Sequence, residues 1–372
     1  MNIPRPSRRS VRQVPRAVIV LAVILSGAAR AETRSAAPAS TVFHACDGAK
    51  TNSSVSIHDD DGKQKWTIKL EGASCKIDFR MEGKARFNDD FTDLVSLPPD
   101  GSFRIDVTSD GERRELEITP QRNGLQRTWK VNGHEQPYDD AARTWLGSFL
   151  VELDRRTAVG VDQRLPNLLA KGGVTGVLAE TAQMPSDYAR NIYYSKLATA
   201  THLSSADVVR VFDQAASIGT SDYYGAELLK GLGVHAGDDA KIRAAMFRMI
   251  QSMTSDYYRA ESVRQAIGSG KLGAREVDFL VSVLQDIDSD YYKDDVLKQV
   301  LAAGSSAVTE ADLLAIVKAV APTKSDYYRA EMLRHVVTHP AATDPVRRAA
   351  LDATGGMSTY YREEVEKASA RR

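Results

Sequence analysis

Ser221-Asp222-Tyr223-Tyr224, "SDYY", returns unchanged at 255–258, 289–292 and 325–328. Looser copies stand at either end of the series, Ser186-Asp187-Tyr188-Ala189 and Ser358-Thr359-Tyr360-Tyr361. Successive serines are 35, 34, 34, 36 and 33 residues apart. A fixed period of this length is the signature of a solenoid, in which each unit buries its apolar face on its neighbours.

Each unit reads as two helices, the first beginning at the repeated word. Serine suits the N-cap, where its hydroxyl accepts from an orphan backbone N–H. The aspartate behind it complements the positive end of the helix dipole. Counting the serine as zero, position +3 is Tyr224, Tyr258, Tyr292, Tyr328 and Tyr361. Positions +7 and +8 bring Leu228/Leu229, Val263, Val296/Leu297 and Met332/Leu333, and +11/+12 bring Leu232, Ile267, Val300/Leu301 and Val336/Val337. Spacings of three and four predict one buried stripe. Position +6 is acidic (Glu227, Glu261, Asp295, Glu331, Glu364) and +9 basic (Lys230, Arg264, Lys298, Arg334, Lys367), a pairing that belongs on a wet face. In the last copy Glu366 and Ser369 replace apolar residues, as a polar end cap requires.

The second helix of each unit has its own start signals. Ser204 with Asp207 and Thr309 with Asp312 fit capping boxes, and Thr343-Asp344-Pro345 puts proline in a first turn. Gly219, Gly268, Gly270 and Gly304 stand where helices should end. Helix pairs at constant period make residues 186–372 resemble the HEAT-like α-solenoids, in a right-handed array of about six units. The stretch "SDYYRAE" is also similar to repeats of exported bacterial proteins and of the tails of membrane sensor metallopeptidases. Those peptidases carry HExxH, which this chain lacks, so the resemblance implies a repeat module without protease activity.

Upstream, the grammar changes. Residues 41–138 hold short β-rich runs separated by Asp61-Gly62, Asp100-Gly101, Asp110-Gly111, Asn123-Gly124 and Asn132-Gly133, dipeptides that tolerate the positive φ of tight hairpins. In "SFRIDVTSDGERRELEITP" (102–120), Phe103, Ile105, Val107, Leu116 and Ile118 share one face. Six to eight antiparallel strands follow, as a meander or small sandwich. Residues 139–184 return to a 3.6-residue period, with Ala142, Trp145, Leu146, Phe149, Leu150 and Leu153 on one stripe, and predict a helical connector or degenerate first repeat.

Residues 1–31 combine a basic head (Arg5, Arg8, Arg9, Arg12, Arg16), an apolar centre from 17 to 29 and an Ala29-Arg30-Ala31 exit. That order predicts a cleaved signal peptide and a periplasmic or secreted protein, with a retained N-terminal anchor as the alternative. Cleavage would remove six of the 49 basic residues and no acid, leaving 43 against 49, a net −6. This balance argues against nucleic acid as a partner. The two cysteines, Cys46 and Cys75, form a candidate disulfide; closing that loop would stabilise by about 3.5 kcal/mol.

Position +2 (Tyr188, Tyr223, Tyr257, Tyr291, Tyr327, Tyr360) has two readings: cover for an adjacent loop, or an interaction ladder along one edge. His335 and His339 are spaced to share a helix face, but no third metal ligand is placed, and "HDDDG" (58–62) and "NDDFTD" (88–93) read as solvated turns. There is no Gly-x-Ser-x-Gly elbow and no P-loop, so neither a catalytic residue nor a cofactor is nominated. The expectation is a non-catalytic envelope protein that binds another protein. The alternatives are a polysaccharide-binding β domain using Trp66, Trp129 and Tyr138, and an enzyme with a site between the two regions.

Overall fold

The computed structural model describes residues 43, 52–60, 63–72, 74–233, 239–267 and 272–370. Residues 1–31, expected to be a signal peptide, Cys46, the expected turn at Asp61-Gly62 and the expected helix ends at Gly268 and Gly270 lie outside the described residues. An antiparallel sheet is followed by an array of paired helices. The main sheet is a meander of β1 (Asn52–Asp60), β2 (Lys63–Glu71), β3 (Cys75–Glu82), β6 (Ser102–Ser109), β7 (Glu112–Gln121), β8 (Gly124–Val131) and β9 (His134–Gln136), in that spatial order. Between β3 and β6 the chain detours through a small ribbon, β4 (Arg86–Phe87) and β5 (Leu94–Ser96).

Register follows alternation. Phe103 faces Ile118, Ile105 faces Leu116, Phe79 faces Ile105 and Ile68 faces Phe79, all on one side and all fully buried. Asp78, Arg104, Asp106, Glu115 and Glu117 alternate with them on the wet side. Two turns require positive φ at both central residues: Asp110-Gly111 (50° and 80°) and Asn132-Gly133 (50° and 79°). Asparagine or aspartate followed by glycine is the pair that adopts this turn at least cost. Asp100-Gly101 makes no hairpin; it closes the ribbon detour, where Gly101 N–H donates to Pro98 O at 2.9 Å.

The buried side of the sheet is covered by α1 (Asp140–Thr157). Trp145 lies 4.8 Å from Trp129 and Phe149 lies 6.2 Å from Phe79, ring centre to ring centre. The meander therefore needs no second sheet, because one helix supplies the opposing apolar layer. After α1 come α2 (Val161–Thr181) and α3 (Asp187–Ala200). Inside α2, Gly173 leaves helical geometry (φ 57°, ψ −156°), so this span is two helical segments joined at a kink.

The rest of the chain alternates strictly. Helices opened by the repeated word are α3, α5 (Asp222–Gly233), α7 (Asp256–Ile267), α9 (Asp290–Ala303), α11 (Asp326–Thr338) and α13 (Thr359–Ala370). Each packs on the next of its kind. Their partners α4 (Ser205–Ser217), α6 (Ala240–Ser252), α8 (Ala274–Gln285), α10 (Glu310–Val320) and α12 (Asp344–Asp352) stack as a second layer. Helix α1 packs on α3 and α2 packs on α4, so this pair opens the two layers while α1 also roofs the sheet.

Between the layers runs one continuous apolar core. Leu228, Val263, Val296, Leu297, Met332 and Leu333 enter it from the word helices, and Val211, Ile250, Leu280 and Ile316 from the second layer. Both expected capping boxes form: Ser204 and Thr309 hydroxyls accept from Asp207 N and Asp312 N, and the aspartates answer back. Proline sits in the first turn of α12. The serine of the word is a less regular cap: Ser186 and Ser325 accept from Ala189 N and Tyr328 N, whereas Ser289 makes no side-chain cap bond.

The sheet is also tied to α2. Asp90, in the turn at 88–93 that the sequence suggested was solvated, accepts from Asn167 Nδ2 at 2.7 Å and pairs with Lys171. Phe87 N–H donates to Gln163 Oε1 at 3.0 Å. Gly160, just before α2, lies so close to Phe91 that a Cβ there would come within 2.8 Å of the ring. Any larger residue at 160 would push the detour off the helix.

Candidate functional site

The aspartate of the repeated word does more than balance a dipole. Asp256 Oδ2 accepts from Ser289 N at 2.7 Å and Asp288 N at 3.1 Å, both at the start of the following unit. Asp187 does the same to Ser221 N (2.8 Å), Asp290 to Ser325 N (3.1 Å) and Asp326 to Ser358 N (2.9 Å). Asp222 accepts from Thr254 N at 2.9 Å and also holds Ser255 N. The other carboxylate oxygen faces a cation at position +4. Asp187 meets Arg190, Asp256 meets Arg259 at 3.3 Å and Asp326 meets Arg329 at 3.2 Å. Arg259 continues to Asp286 O at 2.7 Å, and Arg329 reaches Gly355 O at 3.5 Å, each in the loop that closes its own unit. Position +4 was not singled out in the sequence, although Arg190, Arg259, Lys293, Arg329 and Arg362 stand there in register. Gly225 is the exception, and the Met249 and Met253 methyls occupy its surroundings.

This stitching lines up the tyrosines. The +3 rings, expected to be fully buried, are half-buried against the core. Each is flanked by two +2 rings, one from its own unit and one from the unit before. Tyr258 lies 5.0 Å from Tyr257 and 6.1 Å from Tyr223, edge to face in both cases. Tyr292 lies 5.0 Å from Tyr291 and 6.0 Å from Tyr257; Tyr328 lies 5.0 Å from Tyr327 and 6.3 Å from Tyr291. The series runs unbroken from Tyr188, beside Tyr224, to Tyr360, beside Tyr361. The six +2 rings are 45% to 67% exposed, so no loop covers them. Edge-to-face contacts contribute about 0.5–1.5 kcal/mol beyond area burial, and they hold the outer rings in fixed orientations.

One helical turn past the +2 ring stands the acid at +6. Arg264 bridges Glu261 of its own unit and, at 2.8 Å, Asp295 of the next. Lys367 pairs with Glu364 at 3.3 Å, while Lys298 pairs with Asp294 rather than with the +6 acid. The surface thus carries three parallel stripes: aromatic, acidic, basic.

The remaining candidates are placed elsewhere. Trp66 and Trp129 are buried in the sheet core, Trp66 stacked on Phe87 at 5.9 Å, and offer no face to a sugar. Tyr138 is half-buried between the Arg127 and Arg143 guanidiniums, and burial pushes its hydroxyl up to about 12. His339 ends α11 with its Nδ1 accepting from Ala341 N at 3.2 Å; no metal-holding cluster of three or more ligands occurs among the described residues. Cys75 is buried at the head of β3.

A charged cluster that the sequence did not reveal joins α1, α2 and α3. Asp154, fully buried, accepts from Gly160 N at 2.7 Å, Arg164 at 3.0 Å and the Tyr193 hydroxyl. Arg164 and Arg155 both grip Glu180, at 2.8 and 2.7 Å. Burial raises the Asp154 carboxyl. It also works to raise Glu180, but the two arginines outweigh it and hold Glu180 below the usual carboxylate range. The signal was Asp and Arg on helices otherwise read for their apolar stripes.

No protein-family model and no curated protein matches the sequence. A solved chain described as "Computational Design of Self-Assembling Cyclic Protein Homooligomers" aligns at 11% identity over 59% of this chain and 82% of that one, with a TM-score of 0.15. A likeness at that score carries no argument about fold or function.

Proposed function

We propose that the protein is a non-catalytic, exported scaffold of the cell envelope that binds another protein along the tyrosine edge of a HEAT-like solenoid. The observation that carries this reading is the row of half-exposed +2 tyrosines, repeated in every unit and held in fixed orientation. Tyrosine is favoured at interaction surfaces because it offers large contact area at little entropic cost. The +3 rings pack half-buried against the core, whereas the +2 rings stand further out in solvent. Export rests on the basic head and apolar centre of residues 1–31, and a Cys46–Cys75 bridge fits an oxidising compartment.

The test is comparative capture from an envelope extract by the full chain and by a Tyr223→Ser/Tyr257→Ser/Tyr291→Ser/Tyr327→Ser variant of unchanged helix content. The reading requires that a protein retained by the first be lost from the second. An identical retained set at identical yield would remove it.

A further inference from the structure

We propose that the tyrosine ladder seats a proline-rich segment in polyproline II form, carrying Lys or Arg beside its prolines. This rests on the protein-binding reading above and names the chemistry of the partner.

Spacing favours this occupant. A polyproline II helix completes a turn every three residues at about 3.1 Å each, a repeat of about 9 Å. Packed helices lie about 8–10 Å apart. The +2 tyrosines occupy the same position on successive stacked helices, so one ring is presented per stacking interval. A proline at every third residue would therefore meet one tyrosine per unit, and six tyrosines would span on the order of 15 residues.

Backbone donors beside the ladder are not left free for a strand. An extended peptide that adds as a strand needs unpaired backbone groups. The serine N–H groups at 221, 289, 325 and 358, beside the ladder, are already held by the preceding aspartates. Polyproline II has no such requirement, since its backbone stays solvated and its contacts are made by ring faces.

Charge points the same way. The acids at +6 run alongside the tyrosines, four residues on and on the same helix face. Glu227 is exposed and makes no ion pair among the described residues; Glu261, Asp295, Glu331 and Glu364 remain partly open beside their basic partners. Position +6 of the first unit is Ile192, so the acidic stripe begins at the second unit and gives the surface a direction.

The experiment measures fluorescence anisotropy of labelled (Pro-Pro-Lys)5 with the full chain. The comparison peptides are (Gly-Ser-Lys)5, of equal charge and length, and (Pro-Pro-Glu)5. The proposal expects (Pro-Pro-Lys)5 to bind at least tenfold tighter than either. The four-serine variant should bind it no better than (Gly-Ser-Lys)5, and the matching four-phenylalanine variant, which keeps the ring faces, should bind it undiminished. Glu227→Gln/Glu261→Gln/Glu331→Gln should flatten the salt dependence. Equal binding of the two lysine peptides, or loss of binding in the phenylalanine variant, overturns the proposal. If both lysine peptides fail while capture from extract still depends on the four tyrosines, the partner class is wrong and the ladder reading survives. If capture is indifferent to the tyrosines, both fall.

Discussion

Asp256 reaches out of its own unit and takes the backbone N–H of Ser289, 33 residues later, at 2.7 Å, while its second oxygen faces Arg259. Hydrogen bonds to a charged acceptor are worth about 1.5–3 kcal/mol, and leaving buried donors unmade adds to the loss. Asp256→Ala is expected to destabilise by about 2–4 kcal/mol, read as a lowered urea midpoint. Asp256→Asn keeps one carbonyl oxygen for Ser289 and should lose less. Equal losses would mean the bond to the next unit is not what matters.

Acid should remove the contribution of Glu180 to the junction of α1, α2 and α3, whereas Asp154, raised by burial, acts in the opposite sense. Glu180 has its folded-state pKa held below the ordinary value of about 4.3. Its stabilising contribution is therefore complete above that value and is lost as pH falls through the folded-state pKa. Glu180→Gln should reduce stability at pH 7 and lose less on going to pH 3 than the parent. A constant difference across that range, in denaturant titrations at each pH, would contradict the assignment.

His335 and His339 add a milder dependence at higher pH. Burial lowers both, with Lys298 also acting on His335. A histidine whose folded-state pKa is depressed contributes stability that is present above its ordinary value, about 6.5, and lost as pH falls through the depressed one. His335→Gln/His339→Gln should flatten the pH dependence of the melting temperature below pH 6.5.

The tyrosine contacts predict a chemical signature. Ring centres of Tyr223 and Tyr258, or of Tyr257 and Tyr292, are about 6 Å apart. Photo-oxidation with a ruthenium complex and persulfate should yield intramolecular dityrosine fluorescence at low protein concentration. The four-serine variant should lose most of it; undiminished emission would place the coupling elsewhere.

Tryptophan emission should report the sheet core alone. Trp66, Trp129 and Trp145 are all buried. Emission is expected to be blue-shifted and poorly quenched by acrylamide. Envelope polysaccharides should leave it unchanged, and a saturable shift on adding them would reopen a sugar-binding role for the β domain.

The helical array was legible because its determinants are local and repeated. Serine spacing, the +7/+8 apolar pairs and the capping boxes each recur, so one reading is checked several times over. The meander was legible from alternation and from Asp110-Gly111 and Asn132-Gly133. Contacts between units were not. That Asp222 holds the backbone at Ser255, or that Arg259 links two loops, depends on which residues stacking brings together, and a period does not specify side-chain reach. The same limit hid the Asp154 cluster and led position +3 to be read as fully buried. A 100° rotation around a helix separates inside from outside, but a ring that straddles the boundary is resolved only by its neighbour.

The carboxylate stitch runs one way, from each unit to the one that follows it in sequence. The last copy of the word is Ser358-Thr359, with threonine where the others have aspartate. At that position a threonine offers one neutral hydroxyl oxygen in place of a two-oxygen carboxylate, so both the charge and the second oxygen that faces the +4 cation are lost. A spliced-in copy placed mid-array would find a charged hand extended to it; one set behind Thr359 would meet only a neutral hydroxyl.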